Sequence, residues 1–493
     1  MSDAYYDVVV VGTDLTGLIA SAMLAKRNYR VLVLGQGPLG NELVVDGFKC
    51  ARRPWLFTGF ETSGLVKKAF TELALSLEMQ NRPKAFDPFY QVVLPGRRVD
   101  VTAKEALYQR ELEREFSGET ERIGQYHRAI RDGNTRLSAL FDTVPILPAD
   151  GFFESRSWRK TVAQALDAGI PDALALFPEG HPFRAFALAP LLFSSGCQLS
   201  PYSAIQATRL QTHLGRGLYD IEGGVDGLKR VFLDKVKSNC GDVRDRAAVE
   251  RLVVKRGKVR EVVLRDRREV IGTDAVLCNM DVKRFFGLIP QEEQNERYHL
   301  KIHELQPQWY LYTLNLVVKA QAIPEGMANT VFQVLSAKRP LEGENLTLLC
   351  VDPVGPQDDP GTRVISVSTR VLSRNMRPTL EHLAELDQRL IHATRQLVPF
   401  LDEHLITTAS AWVVTDRRTG ERMVDTNLIT PIYGTPLEET LETTPIACRT
   451  AYKNLLVGSD ALYSGLGFEG AFFGALNAFR LTTELVSKKT LLG

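Results

Sequence analysis

The chain has 493 residues, of which 60 are basic and 59 acidic, so its formal net charge is +1. That balance excludes the surplus of basic residues typical of nucleic-acid-binding domains. A hydrophobic share of 44% predicts a large globular core, yet no apolar run reaches the roughly 18 residues that span a bilayer. The six cysteines lie singly, without the spacing of a zinc site or a disulfide framework, which favours a reducing, cytoplasmic setting.

The opening stretch predicts the nucleotide-binding end of a Rossmann-type domain. Residues 6–36 read YDVVVVGTDLTGLIASAMLAKRNYRVLVLGQ, which predicts an apolar strand, a glycine turn, a helix and a second apolar strand. The turn departs from Gly-x-Gly-x-x-Gly, because Asp14 stands where a middle glycine would let the backbone approach a pyrophosphate. The second strand also lacks the terminal acid that hydrogen-bonds a ribose, and it ends in Leu34 and Gly35.

The middle of the chain predicts a helical cap and then a return to the first domain. Residues 102–140 predict charged surface helices, and helices and loops continue to residue 215. Within them, residues 185–193 are apolar but interrupted by Pro190; we interpret them as a core segment, with a tunnel lining or a shallow membrane-dipping surface as alternatives. Residues 243–279 predict a strand, a hairpin that turns at Gly257-Lys258, and another strand.

The rest of the chain predicts a second sheet and a closing helix. Strands are predicted at residues 306–318, 347–351, 363–371 and 409–414, with a helix at 379–397. A strand ending at Gly458 then leads into a glycine-rich turn and a helix at about residues 470–486. The strands between residues 306 and 371 indicate an antiparallel sheet in a second domain.

Five blocks in order along the chain resemble the phytoene desaturase branch of the FAD-dependent amine oxidase superfamily. They are DVVVVGTDLTG, EGGVDGL, AAVERLVVKRGKVREVVL with DAVLCNMD, DPVGPQDDPGTRVISVS, and LVGSDALYSGLGFEGAFFGALNA. The Gly-Thr-x-Leu-Thr pattern of the first block is also similar to the Rab GDP-dissociation inhibitors, which keep this architecture without flavin and bind prenylated protein.

The resemblance implies an α/β protein with FAD extended across a Rossmann-like domain. A non-contiguous α+β domain, made of a mixed antiparallel sheet and helices, would supply an apolar substrate tunnel. The predicted dinucleotide-binding domain comprises residues 1–100, 217–290 and 440–493, and the substrate domain comprises residues 101–216 and 291–439.

The resemblance also implies which residues contact the cofactor. The residues around the pyrophosphate are Gly12, Thr13, Asp14 and Gly17; the adenine contact is Val249; the ribityl contacts are Gly458 and Asp460; and the flavin pyrimidine edge meets Gly465, Gly467, Gly470 and Ala471. A helix N-terminus at that last position would stabilise the negative charge of reduced flavin.

Three departures from the family pattern weaken the predicted grip on FAD. Asp14 and Gly35 replace residues that hold the ADP half, and Asn41 breaks a Gly-Gly pair that a basic residue normally follows near the phosphates. Arg52 and Arg53 could compensate, or they could belong to a solvated charged turn. Each lost polar contact is worth about 1 to 3 kcal/mol.

The sequence offers few candidates for a catalytic acid or base. The sequence predicts no metal site and no Ser-His-Asp triad. Glu469 lies in the predicted flavin-edge turn, where it could act as an acid or base if buried, or serve the dipole and cap of the closing helix. In desaturases of this type the flavin does the hydride chemistry, so few such residues are needed.

Two hypotheses for function follow from these features. The first is a flavin-dependent oxidoreductase that acts on an extended apolar substrate, such as an isoprenoid or polyene, by hydride transfer. The second is a pseudoenzyme that has lost FAD and binds a lipid-like or prenyl ligand, or a protein partner, as GDP-dissociation inhibitors do. Neither predicts a nucleic-acid partner, and both leave open a peripheral contact with a membrane. The intact flavin-edge motif favours the first slightly.

Overall fold

The computed structural model describes residues 4–35, 40–149, 151–165, 170–196, 203–266, 269–352, 360–416, 418–433 and 446–486. The strands there are β1 (Ala4–Val11), β2 (Val31–Leu34), β3 (Glu42–Val45), β4 (Phe48–Ala51), β5 (Lys84–Ala85), β6 (Tyr90–Leu94), β7 (Arg97–Val101), β8 (Tyr219–Asp220), β9 (Asp242–Arg244), β10 (Val249–Lys255), β11 (Lys258–Leu264), β12 (Val270–Cys278), β13 (Trp309–Lys319), β14 (Thr330–Val334), β15 (Leu346–Val351), β16 (Thr362–Leu372), β17 (Leu405–Ser410), β18 (Val413–Thr415), β19 (Arg422–Val424), β20 (Pro431–Ile432) and β21 (Leu455–Val457). The helices are α1 (Leu15–Lys26), α2 (Gly64–Glu72), α3 (Ser76–Asn81), α4 (Glu105–Glu115), α5 (Thr120–Asp142), α6 (Gly151–Ala165), α7 (Pro182–Ser194), α8 (Ala204–Leu214), α9 (Gly224–Ser238), α10 (Val282–Phe286), α11 (Glu296–Glu304), α12 (Leu380–Arg395), α13 (Leu401–His404) and α14 (Phe468–Leu485).

The first sheet is built around β1. Its strands lie in the order β10-β11-β12-β1-β2-β9, with β21 beside the end of β12. β1 is parallel to β2 and β12, and the register puts Val11 next to both Leu34 and Cys278. The carboxyl ends of these strands therefore meet at one edge, where open α/β sheets bind their ligands. This sheet joins the opening segment to the 243–279 region, as predicted, and the Rossmann-like α/β class is confirmed.

α1 is buried over almost its whole length. Every residue from Leu15 to Ala25 is inaccessible, because the helix lies against the sheet and packs on α9 and α14. Its sequence, LTGLIASAMLAK, therefore carries small and apolar residues all round instead of one apolar stripe. The first basic residue is Lys26, in the last turn.

The second sheet has helices on both faces. Its order is β17-β13-β16-β15-β14-β6-β7, with β20 beside β13, and β14 and β6 form its parallel pair among otherwise antiparallel neighbours. Phe332 joins the core beneath α7, whereas its neighbour Val331 joins the core beneath α12. Residues 185–193 lie within α7, where Pro190 is buried, so their interpretation as a core segment is confirmed.

Some predicted details shift in the structure. β6 and β7 pair within the second sheet, although the predicted boundary at residue 100 assigns them to the first domain. The single strand predicted at residues 409–414 is wrong, because β17 ends at Ser410 and β18 begins at Val413. The β10–β11 turn comes one residue early: Lys255 pairs with Lys258, and Arg256 and Gly257 take the positive φ values that a two-residue hairpin turn needs.

Candidate dinucleotide site

The opening turn from β1 into α1 depends on two glycines. Gly12 has a φ of +109°, and a Cβ on it would lie 2.1 Å from the carbonyl oxygen of Asn279. A Cβ on Gly17 would lie 2.2 Å from the side chain of the same asparagine. Side chains do not fit at such distances in a close-packed interior. The close approach of Asn279 therefore requires a glycine at both positions.

Asn279 follows β12 and holds this turn in place. Its Oδ1 accepts a hydrogen bond from the Gly17 N–H at 3.0 Å, and its Nδ2 donates to the Gly12 carbonyl oxygen at 3.2 Å. Its own backbone N–H donates to the Val11 carbonyl oxygen at 2.8 Å. Because Asn279 is fully buried, each of these polar groups would lack water if its partner were lost.

Asp460 covers the N-terminus of α1. Its Oδ1 accepts hydrogen bonds from the Thr16 N–H at 2.9 Å and the Thr16 hydroxyl at 2.8 Å, and its Oδ2 accepts the Leu15 N–H at 3.4 Å. The first four N–H groups of a helix have no partner inside the helix, and its dipole attracts an anion to them. Here all four have protein acceptors, namely Asn279 for Asp14 and Gly17, and Asp460 for Leu15 and Thr16. A carboxylate of the chain thus occupies the place that the resemblance assigns to the pyrophosphate.

Asp14 adds a second carboxyl group to this end of α1. Its Oδ2 accepts the backbone N–H of Asp460 at 3.3 Å. Burial, followed by the charge of Asp460, raises the pKa of Asp14 to about 7, although Lys229 and Arg53 oppose the shift. Burial and a neighbouring negative charge both disfavour the ionised form, so Asp14 keeps its proton up to near-neutral pH.

A second pair of backbone amides also has an internal acceptor. Asp226, on α9, accepts the Asn41 N–H at 2.7 Å and the Glu42 N–H at 3.1 Å with the same oxygen. These amides belong to the stretch that the resemblance places near the cofactor phosphates. The guanidinium of Arg53, one of the two arginines considered as compensation, lies over the Trp55 ring at 4.4 Å.

The glycine-rich turn before α14 is packed against other parts of the protein. A Cβ on Gly465 would lie 2.0 Å from Gln206 Nε2, one on Gly467 would lie 2.3 Å from the Ser194 carbonyl oxygen, and one on Gly470 would lie 2.1 Å from the Tyr463 carbonyl oxygen. Gly467 also has a φ of +59°, which favours glycine. Ser194 ends α7 and Gln206 lies in the first turn of α8, so these two helices fill the space beside the turn. Packing within the chain accounts for these glycines.

Glu469, in the first turn of α14, forms a buried ion pair. Its carboxylate accepts two hydrogen bonds from Arg209, at 2.8 and 2.6 Å, one from His213 at 3.0 Å, and one from the Ser63 hydroxyl. Burial acts to raise the pKa of Glu469, but Arg209 and His213 outweigh it and lower that pKa. Glu469 makes no cap hydrogen bond, because side chains from α8 take up the carboxylate, although its place in the first turn agrees with the expected interaction with the helix dipole. A carboxylate held ionised in this way is also a poor proton donor.

The ion pair belongs to a larger polar network. Arg209 Nη1 donates to Asn134 Oδ1 at 2.8 Å and to the Ser138 hydroxyl at 2.7 Å, both on α5. His213 Nδ1 lies 2.6 Å from the Thr62 hydroxyl. Arg209 is only 1% exposed, so its charge depends on these partners. The network fastens α8 to both α5 and α14.

The remaining predicted contacts fall at four places. Thr13 is half-buried in the opening turn, beside the groups just described. Gly458 follows β21, where its N–H donates to the Cys278 carbonyl oxygen at 2.8 Å and a Cβ would lie 2.7 Å from Leu277. Ala471 is buried in α14, and Val249 is buried in β10, opposite Leu264 of β11. Direct hydrogen bonds link Asp460 to Asp14 and Thr16, whereas Val249 lies on β10, which β11 and β12 separate from β1 in the sheet.

Sequence reasoning missed four residues of this region, namely Asn279, Asp226, Arg209 and His213. A signal existed for Asn279, because a polar residue directly after a buried parallel strand lies at the ligand-binding edge. Asp226 and Arg209 gave none, since each is an ordinary charged residue within a helix until the fold places it against a distant segment.

The arrangement does not fit the ADP half of FAD. A pyrophosphate at α1 would have to expel Asp460 from its amide donors and then lie beside two acidic side chains. Like charges at such distances repel strongly where water is scarce. Among the described residues there is no cluster of three or more His, Cys, Asp or Glu side chains suited to a metal ion. No helix in the described ranges is both long and apolar enough to cross a membrane.

Comparisons with known proteins agree with this fold. No protein-family model matches the chain. The chloroplastic prolycopene isomerase of Daucus carota is 23% identical over 336 residues, which cover 65% of this chain and 53% of that protein. The chain therefore spans about half the length of the curated relatives it matches.

Solved structures extend the likeness to nearly the whole chain. An oxidoreductase from Methanosarcina mazei has a TM-score of 0.57 at 14% identity, with 96% of this chain and 99% of that chain covered. Cyclohexylamine oxidase from Brevibacterium oxydans has a TM-score of 0.57 at 12% identity, with 98% and 100% covered. The chain is thus distantly similar in sequence to chloroplastic prolycopene isomerases and similar in fold to solved oxidoreductases, and its opening turn departs from the glycine fingerprint at Asp14.

Proposed function

We propose that this chain is a pseudoenzyme: a protein with the fold of an FAD-dependent oxidoreductase that has exchanged the cofactor for internal contacts and works by binding. The observation that carries the proposal is the Asp460 carboxylate on the first-turn amides of α1. Those donors are the anion site that a dinucleotide-binding turn offers. A group of the protein has replaced the ligand there.

Contacts within the protein also take the place of expected cofactor contacts at two other positions. Asp226 binds the amides of Asn41 and Glu42, and Gln206 and Ser194 pack against the glycine-rich turn before α14. The packing of Gln206 and Ser194 at the glycine-rich turn removes the main argument for retained flavin chemistry. The glycines at that turn are explained by close contacts within the protein, so their presence does not require a flavin.

The ligand class we propose is apolar and lipid-like. The curated relative is, by its name, an isomerase of prolycopene, and an extended polyene of that kind needs an apolar surface rather than charged contacts. Binding such a molecule needs no cofactor. A protein partner that carries a lipid-like group would present the same chemistry.

A second candidate is a flavin-dependent oxidoreductase that acts on an extended apolar substrate by hydride transfer. The sequence similarity to prolycopene isomerase favours it. In that case FAD would have to displace Asp460 from α1 and the α7–α8 contacts from the glycine-rich turn. The two candidates therefore differ in whether the protein binds FAD at all.

Flavin and nucleotide binding distinguish the candidates. Protein purified and then incubated with FAD is expected to be colourless after gel filtration, and a fluorescence titration is expected to show no saturable FAD binding. The variant Asp14→Gly/Asp460→Ser frees the α1 amides and removes both carboxyl groups, so its affinity for ADP should rise by about tenfold or more. Asp234→Ser, an exposed change on α9, is the matched control and should leave ADP affinity unchanged.

Each outcome has a clear meaning. Stoichiometric FAD in the wild-type protein would refute the pseudoenzyme and leave the second candidate. An unchanged ADP affinity in the double variant would show that Asp460 is not what excludes a phosphate. An organic extract of the wild-type protein should contain an apolar compound in a fixed ratio to protein, detected by mass spectrometry; a repeatedly empty extract would refute the proposed ligand class.

A further inference from the structure

Helix α6 presents an unusual outer face. Its Phe152 and Phe153 side chains are 72% and 84% exposed, and their rings contact each other edge to face at 5.7 Å. Soluble proteins expose single apolar residues routinely, but two adjacent exposed phenyl rings form a patch. Neither ring packs into a core cluster of the described residues.

The opposite face of the helix explains how α6 is held. Trp158 and Val162 are 9% and 7% exposed, and both belong to the core cluster of the first domain. They lie four residues apart, so they point the same way from the helix. The helix is therefore anchored along one side and leaves the other side open to solvent.

Cations share the open side with the phenyl rings. At about 100° per residue, Arg156, Arg159 and Lys160 fall within the same arc of about 120° as Phe152 and Phe153. All three cationic residues are exposed. The one acid of the helix, Glu154, points away from this arc and pairs with Arg449 at 3.3 Å. Within residues 151–164, the outer face thus carries two aromatic rings, three positive charges and no carboxylate.

We propose that this face of α6 docks the protein reversibly on an anionic lipid surface. Phenyl rings enter the boundary between headgroups and acyl chains, while arginine and lysine side chains bind the negative headgroups. The helix is short and offers only two rings, so the interaction is weak enough to reverse. The proposal does not depend on which of the two candidate functions is correct, because both candidates bind apolar molecules.

Vesicle sedimentation tests the proposal with the full chain. The protein should pellet with vesicles that contain phosphatidylserine and remain in solution with vesicles of phosphatidylcholine alone. Phe152→Ser/Phe153→Ser and, separately, Arg156→Gln/Arg159→Gln/Lys160→Gln should each lower the bound fraction by about tenfold. Raised salt should weaken wild-type binding, because it screens the cationic contacts.

The control changes exposed apolar residues elsewhere. Leu77→Ser/Phe400→Ser replaces side chains that are 80% and 58% exposed on α3 and before α13, and it should bind as the wild type does. All variants should keep the wild-type melting temperature, since every altered side chain is exposed. If the α6 variants pellet like the wild type, or if the wild type ignores phosphatidylserine, the proposal is overturned; in the second case an acidic protein is the remaining occupant of the face.

Discussion

The two glycine turns of the candidate dinucleotide site, one before α1 and one before α14, are filled by different kinds of group. At α1 the filling groups are two carboxyl groups, because Asp460 binds the helix N-terminus and Asp14 lies beside it. At α14 the filling groups are a backbone carbonyl and an amide side chain, Ser194 and Gln206. The buried charge nearby, Glu469, is neutralised from α8.

The difference teaches how far a glycine motif can be interpreted. A glycine reports that something approaches the backbone closely, and it does not report whether that neighbour is a cofactor or the protein. At the α1 turn the sequence itself reveals the departure, because Asp14 stands where the motif has a glycine. At the α14 turn the glycine motif is intact in the sequence, and only the folded structure shows that other parts of the chain fill the space beside it.

The largest expected effect comes from the charged pair beside α14. Glu469→Gln leaves Arg209 buried without a counter-ion, and we expect it to lower the free energy of unfolding by about 3 to 5 kcal/mol. Glu484→Gln, in an exposed pair with Arg480 on the same helix, should cost less than about 1 kcal/mol. Urea denaturation of the two variants measures this contrast. Equal costs would mean that the buried network does not stabilise α14.

The next effect concerns the α1 turn. Gly12→Ala forces a Cβ against the Asn279 carbonyl at a positive φ, and backbone strain with overpacking predicts a loss of about 3 kcal/mol. Gly47→Ala also has a positive φ, +85°, but nothing lies within 4 Å of the new Cβ, so the loss should be about 1 kcal/mol. Thermal unfolding of both variants would test the role of Asn279. A Gly12 variant as stable as the Gly47 variant would contradict the packing described here.

The smallest effect is a dependence on pH. The pKa of Asp14 is raised from 3.8 to about 7 in the folded protein, so its stabilising contribution is complete below about pH 4 and is lost as the pH rises through 7. Asp14→Asn cannot ionise and should gain stability over the wild type between pH 5 and pH 8. The expected gain is about 1 kcal/mol, because Asp14 is half-buried and water screens its charge. Urea midpoints at both pH values measure it, and parallel curves for the two proteins would refute the assignment.

The sequence predicted the parts of the fold that repeat a strong local pattern. The unbroken apolar runs of β1 and β2, the helical spacing of α5 and α12 and the alternating strands β13 and β16 all lie close to their predicted places. β6, β7 and β14 were not predicted, because short strands in long, mixed stretches give little periodic signal. The position of β6 beside β14 depends on a pairing across more than 200 residues.

The site was predictable only in part, for a physical reason. Asp14 was recognised as an obstacle because the fingerprint fixes what stands there. The resemblance assigns Asp460 to the ribityl chain. In the structure its carboxylate instead accepts hydrogen bonds at the N-terminus of α1, where its partner Thr16 is 444 residues away along the chain. Arg209 and Glu469 are 260 residues apart, and no local rule joins them.

The junction of α7 and α8 has an evolutionary consequence. Ser194 packs against Gly467, Gln206 packs against Gly465, and Arg209 binds Glu469, so the corner between α7 and α8 fills the place where the resemblance puts the flavin pyrimidine edge. Under the proposed function, removing the two carboxyl groups at α1 would make room for a nucleoside diphosphate and would still leave the flavin ring without space. If the proposed function holds, a return to flavin chemistry would require a shift of these two helices and not only single substitutions at α1.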